Sequence, residues 1–251
     1  MSTVRVYKLG GPALEDPHMV GPLAAEVRRA DGRVLLVHGG GPVINRLLKA
    51  LAIESRFVEG RRATSTEAME VVEMALSGLV NKALAAGLTR EGVRALGLSA
   101  RDGGLIRARL EPNLGHVGTP EAIDTAPLET VWAGGYIPVV SPVSLGPAGE
   151  AVNVNADEAA LGLARAVGAR TLVYLSDVDG VRIGAQTAGS LTRAEAETYI
   201  EDGTIAGGMA LKVRVALTAV EAGIGEVVIA GKARLLGGFP GTRIIGEEKQ
   251  S

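Results

Sequence analysis

The chain has 251 residues, 47% hydrophobic and 22% charged, which is enough apolar material for a full core and too little charge for extended disorder. A net charge of −2 removes bulk attraction for nucleic acid or anionic membrane, and aromatics at 3% argue against a base-stacking surface. The absence of cysteine excludes disulfide scaffolds, thiolate zinc sites and thiol nucleophiles.

The first residues, Met1 to Lys8, lack the apolar stretch of a signal peptide. No uninterrupted apolar run reaches bilayer length, so the expectation is a soluble cytoplasmic protein. Val4 to Leu9 reads as a short buried strand that ends in Gly10-Gly11, and a helix is predicted near Met19 to Ala30. Arg33 to Val37 is a second buried strand, broken by His38-Gly39-Gly40-Gly41. Pro42 suits a first helical position, and Val43, Ile44, Leu47, Leu48 and Leu51 then recur at helical spacing.

Phe57 to Ala63 reads as a glycine-containing hairpin. Thr64, with Glu67 three residues on, has the form of a capping box for a helix running to about Leu88. Further buried strands are predicted at Val93 to Leu98, Tyr136 to Val140, Thr171 to Leu175 and Glu226 to Ile229. Helices are predicted near Ala126 to Ala133, Ala156 to Val167, Arg193 to Glu201 and Met209 to Ala222. This alternation predicts a mostly parallel sheet covered on both faces, with ligands at the carboxyl ends of its strands. The segment Ser144 to Glu150 is the best lobe boundary, giving lobes of 1–145 and 146–251, and the polar tail from Glu247 is expected to fray.

Glycine lets backbone N–H groups approach an anion closely, and two glycine loops follow neighbouring strands: Lys8-Leu9-Gly10-Gly11 and His38-Gly39-Gly40-Gly41. Either loop alone would be no more than a tight turn. Together, with a lysine in one and a helix start after the other, they point to phosphate or carboxylate binding. There is no P-loop run and no G-x-G-x-x-G, which disfavours P-loop NTPases and ordinary dinucleotide enzymes. Lys212 follows Gly207-Gly208 near a helix start, where a cation opposes the helix dipole unless an anion sits there. In Asn153-Val154-Asn155-Ala156-Asp157, Asn155 fits a helix cap, whereas Asn153 has no such explanation. Arg61-Arg62 in the hairpin is either solvated or a grip for a carboxylate. Ser176-Asp177-Val178-Asp179-Gly180 is a turn or a nucleotide-facing loop. His18, His38 and His116 lack metal-ligand spacing; His38 reads as a strand-end packing residue.

Taken in order, KLGG (8–11), HGGGP (38–42), GRRATS (60–65), SGLVNK (77–82), LGHVG (114–118), GYIPVVSP (135–142), NVNADEAA (153–160), LSDVDGV (175–181) and GGMALKV (207–213) resemble the amino acid kinase family, and within it the members acting on N-acetyl-L-glutamate. The resemblance implies a three-layer αβα sandwich around a mainly parallel open sheet. The N-terminal lobe would bind the acyl amino acid and make a homodimer, and the C-terminal lobe would bind ATP. It implies that Lys8 and Lys212 stabilise the transferring phosphoryl group and that Asp157 orients them and keeps them protonated. Gly40, Gly41, Arg62, Asn153 and Asn155 would hold the acyl amino acid. Gly10, Gly11, Asp177, Val178, Asp179, Gly180, Val181, Arg182, Thr204, Ile205 and Ala206 would face ATP. Mg²⁺ would come with the ATP phosphates and not from a protein cage.

Two departures from the family pattern stand out. Ala63 replaces the usual β-branched residue before the threonine, so Arg61 competes with Arg62 for the substrate role, and Leu211 replaces a frequent proline. The strand carrying KLGG starts almost at Met1, leaving no room for the N-terminal helix of arginine-inhibited hexamers, so a dimer insensitive to arginine is expected. The competing expectations are a carrier-protein-linked α-aminoadipate kinase and a non-catalytic nucleotide-responsive subunit. Some members are bound by a PII signalling protein, and no residue pattern here bears on that.

Overall fold

The structure is a computed structural model that describes residues 3–246 except 12, 13, 15, 17 and 59; the tail expected to fray lies outside them. In chain order the strands are β1 (Val4–Leu9), β2 (Arg33–His38), β3 (Arg56–Val58), β4 (Arg61–Ala63), β5 (Ala95–Ser99), β6 (Ile106–Leu110), β7 (Val117–Ile123), β8 (Ile137–Ser141), β9 (Val143–Leu145), β10 (Ala151–Val154), β11 (Thr171–Leu175), β12 (Arg182–Ile183), β13 (Gln186–Thr187), β14 (Ser190–Thr192), β15 (Glu226–Ala230) and β16 (Thr242–Ile245). The helices are α1 (Val20–Arg29), α2 (Gly41–Ala50), α3 (Thr66–Arg90), α4 (Ala126–Ala133), α5 (Ala156–Ala166), α6 (Arg193–Glu201), α7 (Gly207–Glu221) and α8 (Lys232–Leu235).

Eight strands form one sheet in the order β14-β16-β15-β11-β1-β2-β8-β5. Every neighbouring pair is parallel except β15 and β16. Strand β1 lies at the centre and shows why a parallel strand reads as continuously apolar. Val4 and Val6 pack beneath α5 and α7, while Tyr7 and Leu9 pack beneath α1 and the end of α3. By the same alternation Lys8 falls on the α5 face, the one charge among the residues of β1 on that face. The expected αβα layering is therefore present.

Strands β6, β7, β9 and β10 close into a separate small sheet. They escape sequence reading because β9 and β10 are short, and β7 carries Gly118 and Pro120. β6 goes unread too, although Ile106 and Ala108 are buried in alternation with exposed arginines. Residues 146–150 make the turn joining β9 to its antiparallel partner β10, so the segment read as a boundary is the tip of a hairpin.

Helix α3 has 25 residues and a mean hydropathy of 1.4 in its most apolar window, half of which is buried. Length and composition alone would suit a membrane span, but Met69, Val72, Leu84 and Leu88 pack into the core. Its cap is Ser65, whose hydroxyl accepts from Ala68 N–H at 3.2 Å, and not the expected Thr64. Thr64 is buried and donates instead to the Arg62 carbonyl at 2.7 Å. Midway, Met74–Val80 winds as a π-helix, a form that gathers at functional sites. This turn sets Leu76 and Val80 against Gly40, where an added Cβ would lie 2.6 Å from Leu76 Cδ2. Any larger residue there would have to displace the Leu76 side chain.

Candidate active site

Lys8, near the end of β1, and Asp157, in the first turn of α5, meet as a buried ion pair with Nζ–Oδ1 of 2.8 Å. Lys212 approaches the other carboxylate oxygen at 3.9 Å. Asp157 thus lies between two ammonium groups brought from opposite halves of the chain. Asn155 caps α5 as expected, its Oδ1 accepting from the N–H groups of Asp157 at 2.8 Å and Glu158 at 3.4 Å. The helix start favours a carboxylate at this position.

Lys212 is the sixth residue of α7, a half turn deeper than the sequence suggested. Burial pulls its ammonium below the usual lysine range, and Lys8 adds to this; Asp157 and Asp177 oppose it without prevailing. Asp157 works toward keeping Lys212 protonated but does not cancel the effect of burial. Desolvation outweighs one carboxylate at 3.9 Å, and an arriving anion would supply the missing counter-charge.

A cavity of ≈ 190 Å³ beside this cluster is lined by Gly40, Gly41, Arg62, Asn153 and Asn155 among others. Arg62 is only 7% exposed. Its guanidinium stacks over Phe57 at 4.6 Å and donates to Asn45 Oδ1 at 2.5 Å and to Ser55 Oγ. None of these partners carries a negative charge. Arg61 differs: it is paired with Glu158 at 2.6 Å and Glu111 at 3.5 Å. Between the two arginines, Arg62 is the one whose charge is unmet among the described residues. Asn153 Nδ2 donates to Thr64 Oγ1 at 3.2 Å, tying β10 to the hairpin. Sequence reading missed Asn45, Ser55 and Glu158, whose roles depend on partners distant in the chain.

Behind the glycine loop, His38 is fully buried and contacts Asn81 and the Gly39 carbonyl. Burial lowers its pKa to about 4. The unfolded ring titrates near 6.5, so between these values the unfolded chain binds more protons. The stability from this group is complete above pH 6.5 and is lost as pH falls toward 4, by about 3 kcal/mol in all. Denaturant titrations of native protein and His38→Phe should therefore converge in stability as pH falls through that window. A constant gap would refute the shift.

The other sequence-selected loops lie at the carboxyl ends of β11 and before α7. Gly10 N–H donates to the Leu175 carbonyl at 2.9 Å, joining the first glycine loop to this edge. Asp177 accepts from Ser176 Oγ at 2.9 Å and acts electrostatically on Lys212. Asp179 supports α8, accepting from Ala233 N–H at 3.3 Å. Gly180 packs on Thr242 and Thr187, and Val181 is buried with its N–H bonded to Thr242 Oγ1 at 2.8 Å. Val178 and Arg182 are exposed. Thr204 is exposed, Ile205 is in the core, and Ala206 caps α7 without a side-chain bond.

The sequence model described as "Amino acid kinase family" matches residues 3–231. An acetylglutamate kinase of Rubrobacter xylanophilus is 44% identical over 97% of this chain and 97% of its own length. One from Chloroflexus aggregans is 40% identical over 100% of both. Among solved structures, smu.665 from Streptococcus mutans superposes with a TM-score of 0.84 at 26% identity, covering 96% of this chain and 98% of that one. The fold, the paired lysines and these relatives agree: the chain belongs to the amino acid kinase family, on its acetylglutamate kinase branch.

Proposed function

We propose that this protein transfers the γ-phosphoryl group of ATP to the side-chain carboxylate of N-acetyl-L-glutamate, forming N-acetyl-glutamyl 5-phosphate for arginine biosynthesis. The observation that carries the reading is Arg62, buried with no carboxylate partner among the described residues, in one cavity with Gly40 and Gly41 and beside the Lys8–Asp157–Lys212 cluster. A dicarboxylate acceptor would bring the charge that Arg62 lacks.

A glutamate side chain has a pKa of about 4.3, so the nucleophile is ionised at neutral pH and needs no general base. The barrier is the approach of one anion to another, which positioning and charge stabilisation lower. In this reading Lys8 and Lys212 face the transferring group from β1 and α7, and Asp157 keeps the two cations from repelling each other. ATP would lie toward the 177–182 and 204–206 loops, with Gly11 amide at the phosphates. Mg²⁺ would arrive with the triphosphate oxygens of ATP. There the ion would neutralise phosphate charge. The β3–β4 hairpin would exclude water from the acyl phosphate product, helped by its Thr64 tie to Asn153. Met74 and Leu79, each 53% exposed on α3, are apolar surface that a homodimer would cover.

The test is ATP- and Mg²⁺-dependent turnover with hydroxylamine trapping, comparing N-acetyl-L-glutamate, N-acetyl-L-α-aminoadipate and free glutamate, on protein whose mass is measured by sedimentation. Hydroxamate formed preferentially from N-acetylglutamate by a dimer is expected. Turnover of none of the three would refute the substrate, and a monomer would refute the assembly.

A further inference from the structure

The contacts of Asn81 fix the proton of His38. Asn81 is fully buried, and its Nδ2 lies 2.8 Å from the Val139 carbonyl and 3.1 Å from the Leu98 carbonyl. Carbonyls only accept, and Lys82 Nζ, which only donates, lies 3.2 Å from Asn81 Oδ1. The amide therefore presents its NH₂ to this corner, where it also meets His38 Nε2 at 3.1 Å. The two amide hydrogens have three acceptors within reach, and an Nε2–H would point at an amide nitrogen that cannot accept, so Nε2 carries no proton. The proton of the neutral ring sits on Nδ1, because the Gly39 carbonyl 2.8 Å away can only accept. Burial and the nearby Lys82 charge both favour the neutral ring.

That bond has a consequence one atom further along the chain. A trans peptide places its carbonyl and the following N–H on opposite sides. Drawing the Gly39 oxygen toward His38 turns the Gly40 N–H away from it, toward the cavity that Gly39, Gly40 and Gly41 line. Gly39 N–H is already committed to the Leu9 carbonyl at 2.9 Å, whereas Gly40 N–H has no backbone acceptor among the described residues outside regular elements. The Gly40 and Gly41 nitrogens also converge on Gly11, where an added Cβ would lie 3.6 and 3.1 Å from them. A free Gly40 amide could rotate in a glycine-rich loop; this one is clamped from behind.

We propose that His38, held in its Nδ1–H tautomer by Asn81, is a positioning residue that aims the Gly40 amide at an oxygen of the acceptor carboxylate. The identity of that anion rests on the function proposed above; the tautomer does not.

The experiment pairs NMR of ¹⁵N-histidine-labelled native protein at neutral pH with kinetics of His38→Phe and His38→Asn. The ring-nitrogen shifts should show a neutral His38 protonated on Nδ1. His38→Phe, which removes the donor, should raise KM for N-acetylglutamate roughly tenfold and leave KM for ATP within about twofold. His38→Asn, which keeps a donor near the Nδ1 position, should recover most of that loss. An Nε2–H tautomer or an imidazolium in native protein overturns the proposal, as does an unchanged acceptor KM in His38→Phe. The shifts decide the tautomer whether or not the protein turns over N-acetylglutamate, so the two readings fail separately.

Discussion

Lys8→Ala should lower kcat by roughly 10²-fold or more, the scale seen when one pre-positioned donor to a developing charge is lost. The side chain is 8% exposed and within 2.8 Å of Asp157, so neither solvent nor a mobile neighbour can replace it. Its removal also leaves Asp157 with only Lys212, 3.9 Å away, and that pair would tighten at the expense of the phosphoryl group. Lys8→Arg should not rescue, since a planar fork cannot occupy the place of a compact ammonium in a buried strand. The same loss is expected for Lys212→Ala. Steady-state kinetics, with circular dichroism to establish folding, checks both. A kcat near the native value in either variant would remove that lysine from the chemistry.

Arg62→Leu should raise KM for N-acetylglutamate by roughly 10²-fold, because truncating one partner of a buried charge pair leaves the other desolvated and unmet. Arg61→Leu should act differently. Its charge is spent on Glu158 and Glu111, so its loss should loosen the hairpin and raise acceptor KM far less. Initial-rate measurements over a range of acceptor concentrations separate the two. Equal effects would mean that the ion-paired arginine also binds substrate.

The sequence made these contrasts only partly legible. Val4 to Leu9, Arg33 to Val37 and Thr171 to Leu175 are read correctly as buried parallel strands because both faces demand apolar residues. The glycine loops and Asn155 follow from local chemistry, since a turn or a cap is decided within a few residues. Arg61 and Arg62 could not be told apart in that way. What distinguishes them is Asn45 and Ser55 on one side and Glu111 and Glu158 on the other, and tertiary folding alone brings these together. The burial that depresses Lys212 is likewise a property of the packed state. Asn81 stood in a recognised motif without a role, because its partners His38, Leu98 and Val139 come from three other strands or their ends.

The π-helical turn in α3 bears on how this chain tolerates change in length. Before the turn, Met69 and Val72 pack with α2; after it, Asn81 binds beneath β5 and β8. A π turn closes i→i+5 bonds where an α turn closes i→i+4, so losing one residue between Met74 and Val80 would let the stretch wind as an α-helix with its two flanks close to their present register. The Asn81 end and the end beside the hairpin would then keep their seats, and the change would fall on the turn that sets Leu76 and Val80 against Gly40. Met74 and Leu79 stand half exposed on this stretch, where the proposed dimer needs apolar side chains. A single deletion there should therefore spare the fold and disturb the backing of the Gly40 loop, so this stretch tolerates a change in count better than a change in apolar character.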